Sequence, residues 1–510
     1  MSTSNTPGNK AIVIGAGFGG LAAALRLLAR GYDVEIFEAN EQPGGRASVY
    51  RQDGFFFDAG PTVITAPYLL DELFELFGKS REDYVELLPV DPFYRVEFWD
   101  GSTFDYVGDE ERILAQIQEM NPADVEGYKK LAAHAKRIFD IGYTQLADTP
   151  FDRVTDMLRV IPDLLQLKNY KTVSQLVADY IEDPRLQQAF TFQPLLVGGN
   201  PFQTTSIYML IHWLERKWGV WFAKGGTGAL VQAMVKLFEE EGGRLHLNSP
   251  IKKLEIEQGR VKGVRVGEAL RLHKADIVVA NADPSTVYSK LIDKQHRSWH
   301  PDWRVKTVKQ SMSLFVAYFG TDKAYPELAH HTIVLGPRYK GLLDDIFNKK
   351  VLAEDFSLYL HRPATTDPTM APEGKDAFYV LSPVPNLEGG QDWEELAEEY
   401  MDRILGHLEE RMMPGLREHI VTRKFIDPRT FQDRYQSMSG AAFGPEPIFR
   451  QSAWFRYHNR SEDVDGLYFV GAGTHPGAGV PGVISSAKVL EHFIPEVSRA
   501  ETEPKPVAAK

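Results

Sequence analysis

The stretch Ala11-Ile12-Val13-Ile14-Gly15-Ala16-Gly17-Phe18-Gly19-Gly20 decides the fold of the N-terminal region. Its four apolar residues predict a buried parallel strand, and glycines 15, 17 and 20 match the pattern GxGxxG. Strong helix formers follow at residues 21–28. In such a turn Gly15 permits the sharp bend, Gly17 lets the backbone approach a pyrophosphate, and Gly20 lets the helix pack on the strand. The order of strand, turn and helix predicts a Rossmann-type dinucleotide site.

A second strand is predicted at Asp33–Glu38, after the break at Gly31. Glu38 lies 18 residues after Gly20, where a carboxylate accepts hydrogen bonds from a ribose diol. An acidic residue at this position disfavours the 2′-phosphate of NADP.

The composition excludes several classes of protein. The 510 residues are 43% apolar and 25% charged, which is typical of a globular chain of two to four domains and excludes a disordered, collagen-like or coiled-coil protein. Because the chain has no cysteine, disulfides, thiolate metal sites, iron–sulfur clusters and a cysteinyl cofactor link are excluded. The net charge of −13 would repel a phosphate backbone, so no nucleic-acid partner is expected.

Two uncharged stretches superficially imitate membrane segments. Residues 11–25 look like a signal peptide, and residues 466–487 are long enough to span a bilayer. Glycines inside the first stretch, and six glycines and two prolines in the second, disfavour both interpretations. The sequence therefore predicts a cytoplasmic protein or one attached to a membrane surface.

A further stretch indicates whether the dinucleotide is FAD or NAD: Gln42-Pro43-Gly44-Gly45-Arg46-Ala47-Ser48. It resembles the flavoprotein superfamily that includes amine oxidases and carotenoid desaturases, in which a Gly-Gly-Arg turn holds the pyrophosphate beside a flavin. The resemblance implies non-covalently bound FAD, with Arg46 neutralising phosphate charge.

The segment from Leu467 to Gly482, LYFVGAGTHPGAGVPG, narrows the family. It resembles the signature of bacterial-type carotenoid (phytoene) desaturases, and the resemblance extends over essentially the whole chain. Other matching segments are Asp91–Tyr94, Val197–Phe202, Gly225–Leu230 and Ala280–Asp283. Many related flavoproteins carry an acidic residue near Gly473; this chain has none there.

The fold class expected from the pattern and the resemblance is α/β, with a Rossmann-type FAD-binding domain assembled from discontinuous segments. These segments are residues 8–67, 225–300 and 455–497. An inserted α+β substrate domain, with a helical part that contacts the membrane, is expected at 68–224 and 301–454, followed by a disordered tail at 498–510. Within the insertions, Tyr68–Lys224 is expected to be largely helical, and Ser311–Gly320 and Phe378–Val384 to be strands.

Together, the residue pattern and the resemblance assign a set of cofactor-binding residues. They are Gly15, Gly17, Gly20, Glu38, Gly44, Gly45, Arg46, Gly60, Thr62, Ile251, Gly471, Gly473, Gly482 and Val483. No local pattern identifies a catalytic base. Glu215 and His475 are candidates; the alternatives are that Glu215 is half of a surface ion pair and that His475 is a wall residue beside the cofactor.

The function implied by the resemblance is FAD-dependent desaturation of 15-cis-phytoene, with lycopene as the expected end product. A hydride would pass from an allylic carbon to flavin N5, a neighbouring carbon would lose a proton, and an external acceptor such as oxygen or a quinone would take the electrons. Alternatives within the family are a C30 diapophytoene desaturase, a hydroxy- or methoxy-carotene desaturase, or a ketolase. More distant alternatives are a flavin amine or porphyrinogen oxidase and a non-catalytic prenyl-binding escort protein.

A long apolar substrate implies contact with a bilayer, expected at the inner face of the cell membrane. Two stretches could provide an apolar surface or tunnel: Val154–Lys168, which Pro162 is expected to interrupt, and Ser206–Phe222, which carries three tryptophans. For each, ordinary core packing is the alternative. The oligomeric state is left open.

Overall fold

The computed structural model describes residues 9–144 and 146–497. The strands are β1 (Lys10–Ile14), β2 (Asp33–Phe37), β3 (Val49–Gln52), β4 (Phe55–Asp58), β5 (Leu87–Pro89), β6 (Tyr94–Glu97), β7 (Thr103–Tyr106), β8 (Trp221–Ala223), β9 (Arg244–His246), β10 (Ile251–Glu257), β11 (Arg260–Val266), β12 (Arg271–Lys274), β13 (Ile277–Ala280), β14 (Ser313–Thr321), β15 (His331–Val334), β16 (Leu358–His361), β17 (Asp376–Val384), β18 (Ile420–Ile426) and β19 (Leu467–Phe469).

The α-helices are α1 (Phe18–Ala29), α2 (Tyr68–Glu75), α3 (Glu110–Met120), α4 (Asp124–Gly142), α5 (Val154–Gln166), α6 (Val173–Ala178), α7 (Pro184–Ala189), α8 (Leu210–Trp218), α9 (Thr227–Glu240), α10 (Pro284–Thr286), α11 (Asp302–Lys306), α12 (Tyr339–Asp344), α13 (Trp393–Arg411), α14 (Leu416–His419), α15 (Pro428–Asp433) and α16 (Val480–Val489). The tail predicted at 498–510 lies outside the described residues.

A parallel sheet of five strands, in the order β19-β13-β1-β2-β9, forms the first layer. Its strands come from both ends of the chain and from the middle, so the sheet is assembled from separated segments. Helices α1, α9 and α16 cover one face, where Leu21, Leu230 and Ile484 are buried together. The antiparallel sheet β10-β11-β12 packs near the other face through Leu254 and Val264. Because all five strands run the same way, their carboxyl ends meet along one edge.

A mixed sheet of seven strands, in the order β18-β14-β17-β16-β15-β6-β7, forms the second layer. All nine residues of β14 are buried, which explains its continuous apolar sequence. Its side chains alternate between two cores: Phe315 and Phe319 pack with α13, whereas Leu314 and Tyr318 face the opposite core. The second of these cores adjoins the site described below.

Most of the predicted elements are present, and one expectation is wrong. Strands were expected at Ser311–Gly320 and Phe378–Val384, and β14 and β17 occupy these positions. Pro162 does not interrupt its segment: α5 continues from Val154 to Gln166 with the proline inside it. The region Tyr68–Lys224, predicted to be largely helical, holds helices α2–α8 and also supplies β6 and β7 to the seven-stranded sheet.

Candidate active site

One cavity of about 890 Å³ joins the two layers. At one end its wall is formed by the N-terminal glycine turn, Glu38 and the Gly44-Gly45-Arg46 turn. At the other end its wall is apolar and comes from α4, α5, α8 and the seven-stranded sheet. The polar end and the apolar end belong to a single continuous space, so a group bound in the first end faces the second.

The glycine turn after β1 has the geometry that the sequence predicts. Gly15 has a φ of +92° and donates its N–H to the Phe37 carbonyl at 2.8 Å. A Cβ added to Gly20 would lie 2.0 Å from the Gly15 carbonyl oxygen, so only glycine lets α1 pack so closely. A Cβ on Gly17 would lie 2.9 Å from the Asn281 amide nitrogen and would enter the cavity wall.

Glu38 follows β2 directly and is 5% exposed. One carboxylate oxygen accepts the Ala16 N–H at 2.8 Å, and the other accepts the Asn40 N–H at 2.9 Å. The side chain lines the cavity. It therefore ties the glycine turn to the end of β2 and presents negative charge where the sequence places a ribose diol.

Gly44, Gly45 and Arg46 form the opposite side of the polar end. Gly44 donates its N–H to the Ala16 carbonyl at 2.8 Å, which holds this turn against the first one. The Arg46 guanidinium donates one hydrogen bond to Ser437 Oγ at 2.6 Å, while its Nε is buried with no partner among the described residues. An unsatisfied guanidinium N–H at a cavity is suited to a phosphate oxygen.

The remaining predicted cofactor residues divide into two groups. Residues that line the cavity are Gly60, Thr62, Ile251, Gly482 and Val483. Three others do not line the cavity but lie behind its wall: Gly20, Gly471 and Gly473. A Cβ on Gly471 would lie 2.6 Å from Asn281 Oδ1, and a Cβ on Gly473 would lie 2.3 Å from Pro284 Cδ. These two glycines therefore allow backbone packing behind the site.

Sequence reasoning missed Asn281 and Asp283 as site residues. Both line the cavity just after β13, and the Asn281 side chain lies among the cradle glycines 17, 19 and 471. Asp283 is buried, and burial raises the pKa of its carboxyl despite the nearby Arg46 charge. Their position could have been found, because the ends of parallel strands meet at one edge and residues 277–280 read as a buried strand.

The apolar end is lined by aliphatic and aromatic side chains from many separate elements. They include Met157, Val160, Leu164, Phe192, Leu195, Leu196, Ile211, Leu214, Leu314, Ile333, Tyr359, Tyr379, Leu381 and Phe431. Such a wall suits a long hydrocarbon rather than a charged ligand.

Glu215 is an ionisable exception in this apolar end. It is 1% exposed, lines the cavity, and accepts a hydrogen bond from Tyr94 Oη at 2.7 Å. The surface ion-pair interpretation is therefore wrong; the neighbouring Arg216 makes that pair, with Glu110. Burial raises the pKa of Glu215 to about 8, and its Oε2 has no partner within the described ranges.

His475 also lines the cavity and is 7% exposed. Its ring lies edge-on to Phe151, with 5.0 Å between centroids. Burial lowers the pKa of His475 to about 4, so the ring is neutral at physiological pH. The position fits a wall residue, and a catalytic role for it stays a prediction.

The residues of the polar end fit a flavin dinucleotide. The glycine turns leave room that side chains would fill, and Arg46 supplies an unused donor. The helices α1 and α16 both begin at the cavity, at Phe18 and Val480, and their free N–H groups favour negative charge. Adenosine ribose, pyrophosphate and a flat ring can therefore be held by Glu38, by the paired turns and by residues 479–483, respectively.

Comparison with known proteins gives the family. The model for flavin-containing amine oxidoreductases matches residues 18–489. The chain is 51% identical over 488 residues to a lycopene-forming phytoene desaturase from Pseudescherichia vulneris, covering 96% of this chain and 99% of the relative. The protein belongs to the carotenoid desaturase family of flavin-containing oxidoreductases. Like other members, it is an FAD-dependent oxidoreductase.

Two further comparisons extend this result. The desaturase is 44% identical to a neurosporene-forming phytoene desaturase from Rhodobacter capsulatus, covering 98% of this chain and 97% of the relative. Its fold resembles that of an oxidoreductase from Methanosarcina mazei, with a TM-score of 0.63 and 18% identity, covering 95% of this chain and 100% of the other. The likeness to the second protein concerns the fold alone.

Proposed function

We propose that this desaturase converts phytoene to lycopene by repeated FAD-dependent dehydrogenation. One observation supports this most: the FAD cradle opens directly into an apolar chamber within a single cavity. The 51% identity to a lycopene-forming relative, against 44% to a neurosporene-forming one, favours lycopene as the end product.

The chain's own residues position the reactants and exclude water. FAD, when bound, would supply the hydride-accepting chemistry, and an external acceptor, for which oxygen and a quinone are the candidates, would be needed to take up the electron pair. The apolar wall excludes water from the hydrocarbon; it includes Leu195, Leu214 and Tyr359. The N-terminus of α16 places N–H groups and a positive dipole end at the cofactor side of the cavity.

Each dehydrogenation also releases a proton, and Glu215 is positioned to accept it. Glu215 lines the chamber, and its Oε2 is buried without a hydrogen-bond partner in the described part of the chain, while Tyr94 donates a hydrogen bond to Oε1. A carboxyl whose pKa is about 8 is a stronger base when ionised than an exposed carboxylate. Glu215 is therefore the proposed proton acceptor.

Helix α5 is the proposed membrane contact. Val154, Leu158, Ile161 and Leu165 form one stripe at helical spacing and are 52%, 58%, 39% and 60% exposed. Its other face carries Met157, Val160 and Leu164, which line the chamber. An apolar helix with one face toward solvent and the other toward the chamber suits an entrance from a lipid surface.

A second apolar element lies beside α5. Phe449 and Phe455 are each 45% exposed, and their ring centroids are 6.0 Å apart. Phe449 and Ala453 also line the cavity. Together, the α5 stripe and these two rings form the proposed entrance, through which a substrate dissolved in the bilayer would reach the chamber.

No helix in residues 9–144 or 146–497 has the length and apolar character needed to cross a bilayer. The proposed attachment is through the entrance, at the cytoplasmic face of the cell membrane. The α5 stripe supplies the apolar surface for this attachment.

Product analysis tests the proposal. FAD-loaded protein, liposomes containing 15-cis-phytoene and a quinone are incubated together, and the pigments are extracted. Because each added conjugated double bond shifts absorption to longer wavelength, the spectrum counts the steps. A lycopene spectrum is expected; an unchanged phytoene spectrum would contradict the proposed function, and a neurosporene spectrum would contradict the end product.

A further inference from the structure

Three buried histidines lie together outside the cavity wall. His330, His331 and His361, called the histidine cluster below, are 4%, 0% and 1% exposed. Each offers a ring nitrogen, and these atoms all lie within 4.8 Å of one another. The sheet brings them together, since His331 on β15 is directly opposite His361 on β16 in the antiparallel register. None of the three is a lining residue of the active-site cavity.

The histidine cluster leaves polar atoms unsatisfied. Nε2 of His330, Nε2 of His331 and both ring nitrogens of His361 are buried and make no hydrogen bond of 3.5 Å or less in the described ranges, although the Thr62 backbone lies near His331 and the His330 backbone near His361. Leaving a buried polar atom unpaired costs about 1–3 kcal/mol. Four such nitrogens in one place need an explanation, and tight packing alone does not provide one.

One outer contact of the cluster fixes the tautomer of its histidine, and a second leaves one ring nitrogen available. His331 Nδ1 donates a hydrogen bond to the Phe93 carbonyl at 2.9 Å. In the neutral ring, Nε2 is therefore unprotonated and carries a lone pair. His330 Nδ1 is paired with Thr366 Oγ1 at 2.5 Å, which leaves its Nε2 directed elsewhere. A hydrogen bond from the outer nitrogen of an imidazole is the usual way in which proteins fix a metal-binding histidine.

A carboxylate adjoins the cluster. Asp58, at the end of β4, is 1% exposed; its Oδ1 accepts the Thr227 N–H at 2.7 Å. Its Oδ2 has no hydrogen-bond partner among the residues described and lies 3.9 Å from His361 Nε2. The cluster thus has a nearby carboxyl group that, when ionised, can offset part of a cation's charge.

We propose that the histidine cluster binds one divalent metal ion, with the Asp58 carboxyl group beside it. Three imidazole nitrogens suit Zn²⁺ best. Metal–ligand bonds of about 2.0–2.2 Å require each ring to move inward by less than about 1 Å. One ion would satisfy a lone pair on each ring.

The ion would lie between β4 and the seven-stranded sheet. β4 carries Asp58, and Thr62, four residues later, pairs its hydroxyl with Tyr359 Oη. Tyr359 lies two residues before His361, on the same face of β16, and lines the cavity. The metal would therefore stabilise the packing of β4 against β16 behind this part of the cavity wall. Its role would be structural and not catalytic.

Elemental analysis of FAD-loaded protein tests this. The protein is produced without a polyhistidine tag in medium containing ZnCl₂ and dialysed against metal-free buffer. The expected result is about one zinc ion per chain in the wild type, and less than about a tenth as much in His361→Phe. Asp58→Asn is expected to lower zinc content under the same dialysis, because it removes the carboxylate beside the ion.

His134→Gln is the matched control, because His134 is a buried histidine that pairs with Tyr180 and Leu167 far from the cluster. It is expected to keep full zinc content. If His361→Phe keeps its zinc, or if zinc-supplied wild type holds less than about a tenth of an ion of any divalent metal per chain, the proposal is overturned.

A second measurement does not depend on the variants folding. Wild-type holoenzyme is treated with a chelator, and its thermal midpoint is followed as ZnCl₂ is added back. Binding to the folded state alone raises the midpoint, so a saturable rise with one equivalent is expected. A midpoint that does not change with chelation or with added zinc contradicts the site.

Discussion

The polar and apolar ends of the cavity are built in different ways. The FAD cradle is made of backbone: turns at residues 15–20 and 44–46, and the loop before α16, leave space where side chains would intrude. The chamber is made of side chains that come from many separate elements. FAD binding requires that no side chains fill the cradle. Substrate binding requires a chamber wall that fits the hydrocarbon and excludes water.

This difference predicts how the two ends respond to substitution. A single Cβ in the cradle fills the place of the cofactor, whereas one altered side chain in the chamber leaves most of the wall intact.

Gly17→Val is expected to abolish FAD binding. The valine Cβ would lie 2.9 Å from Asn281 Nδ2, and its methyl groups would occupy the pyrophosphate region. Flavin absorbance per chain should fall to background. Gly406→Val is the matched control, because a Cβ at Gly406 in α13 meets nothing closer than 3.9 Å; it should stay yellow. A yellow Gly17→Val protein would refute the assignment of the cradle.

Glu215→Gln is expected to lower turnover by about 10²-fold while FAD content stays unchanged. Because burial raises the pKa of Glu215 to about 8, its basic form grows as pH rises toward that value. Wild-type turnover should therefore increase about tenfold per pH unit below 8 and level off above it.

The Glu215→Gln variant should lose this pH dependence. Glu110→Gln, which breaks only the exposed pair with Arg216, should keep it. A wild-type rate that is flat between pH 6 and 8 would remove Glu215 from the proposed mechanism.

The double variant Leu158→Glu and Leu165→Glu is expected to reduce sedimentation with phospholipid vesicles at least about tenfold, because burying each leucine contributes about 1.5–3 kcal/mol. Both residues are about 60% exposed, so the fold should persist. Leu270→Glu with Leu272→Glu, exposed on a distant hairpin, is the control and should bind vesicles like the wild type. Equal losses in both pairs would indicate a nonspecific charge effect rather than an entrance at α5.

Tyr359→Phe should have the smallest effect. It removes the buried hydroxyl pair with Thr62 and should lower the free energy of unfolding by about 1 kcal/mol. Thr62→Val with Tyr359→Phe removes both partners and should cost no more than the single change. Denaturant midpoints measure both; additive losses would show that the two hydroxyls do not act as a pair.

The same contrast explains what the sequence could predict. The cradle was predictable residue by residue, because glycine turns after strands have local patterns such as GxGxxG. Asn281 was missed because its role depends on β13 lying beside β1, a contact between residues about 265 positions apart. The chamber, the continuous helix through Pro162 and the burial of Glu215 depend on long-range packing, which leaves no local pattern.

The histidine cluster shows the same limit. His330 and His331 are adjacent in the sequence, but His361 and Asp58 join them only through the pairing of β15 with β16 and the position of β4. Their separation follows no metal-binding spacing that a sequence search would recognise.

The most direct test of one cavity shared by flavin and hydrocarbon is an anaerobic single turnover. FAD-loaded protein is mixed with liposomes containing 15-cis-phytoene, with oxygen and quinone absent, and flavin absorbance and polyene products are measured together. We expect that the oxidised flavin band bleaches and that one new double bond appears per flavin reduced. A flavin that stays oxidised while saturated with phytoene would contradict it.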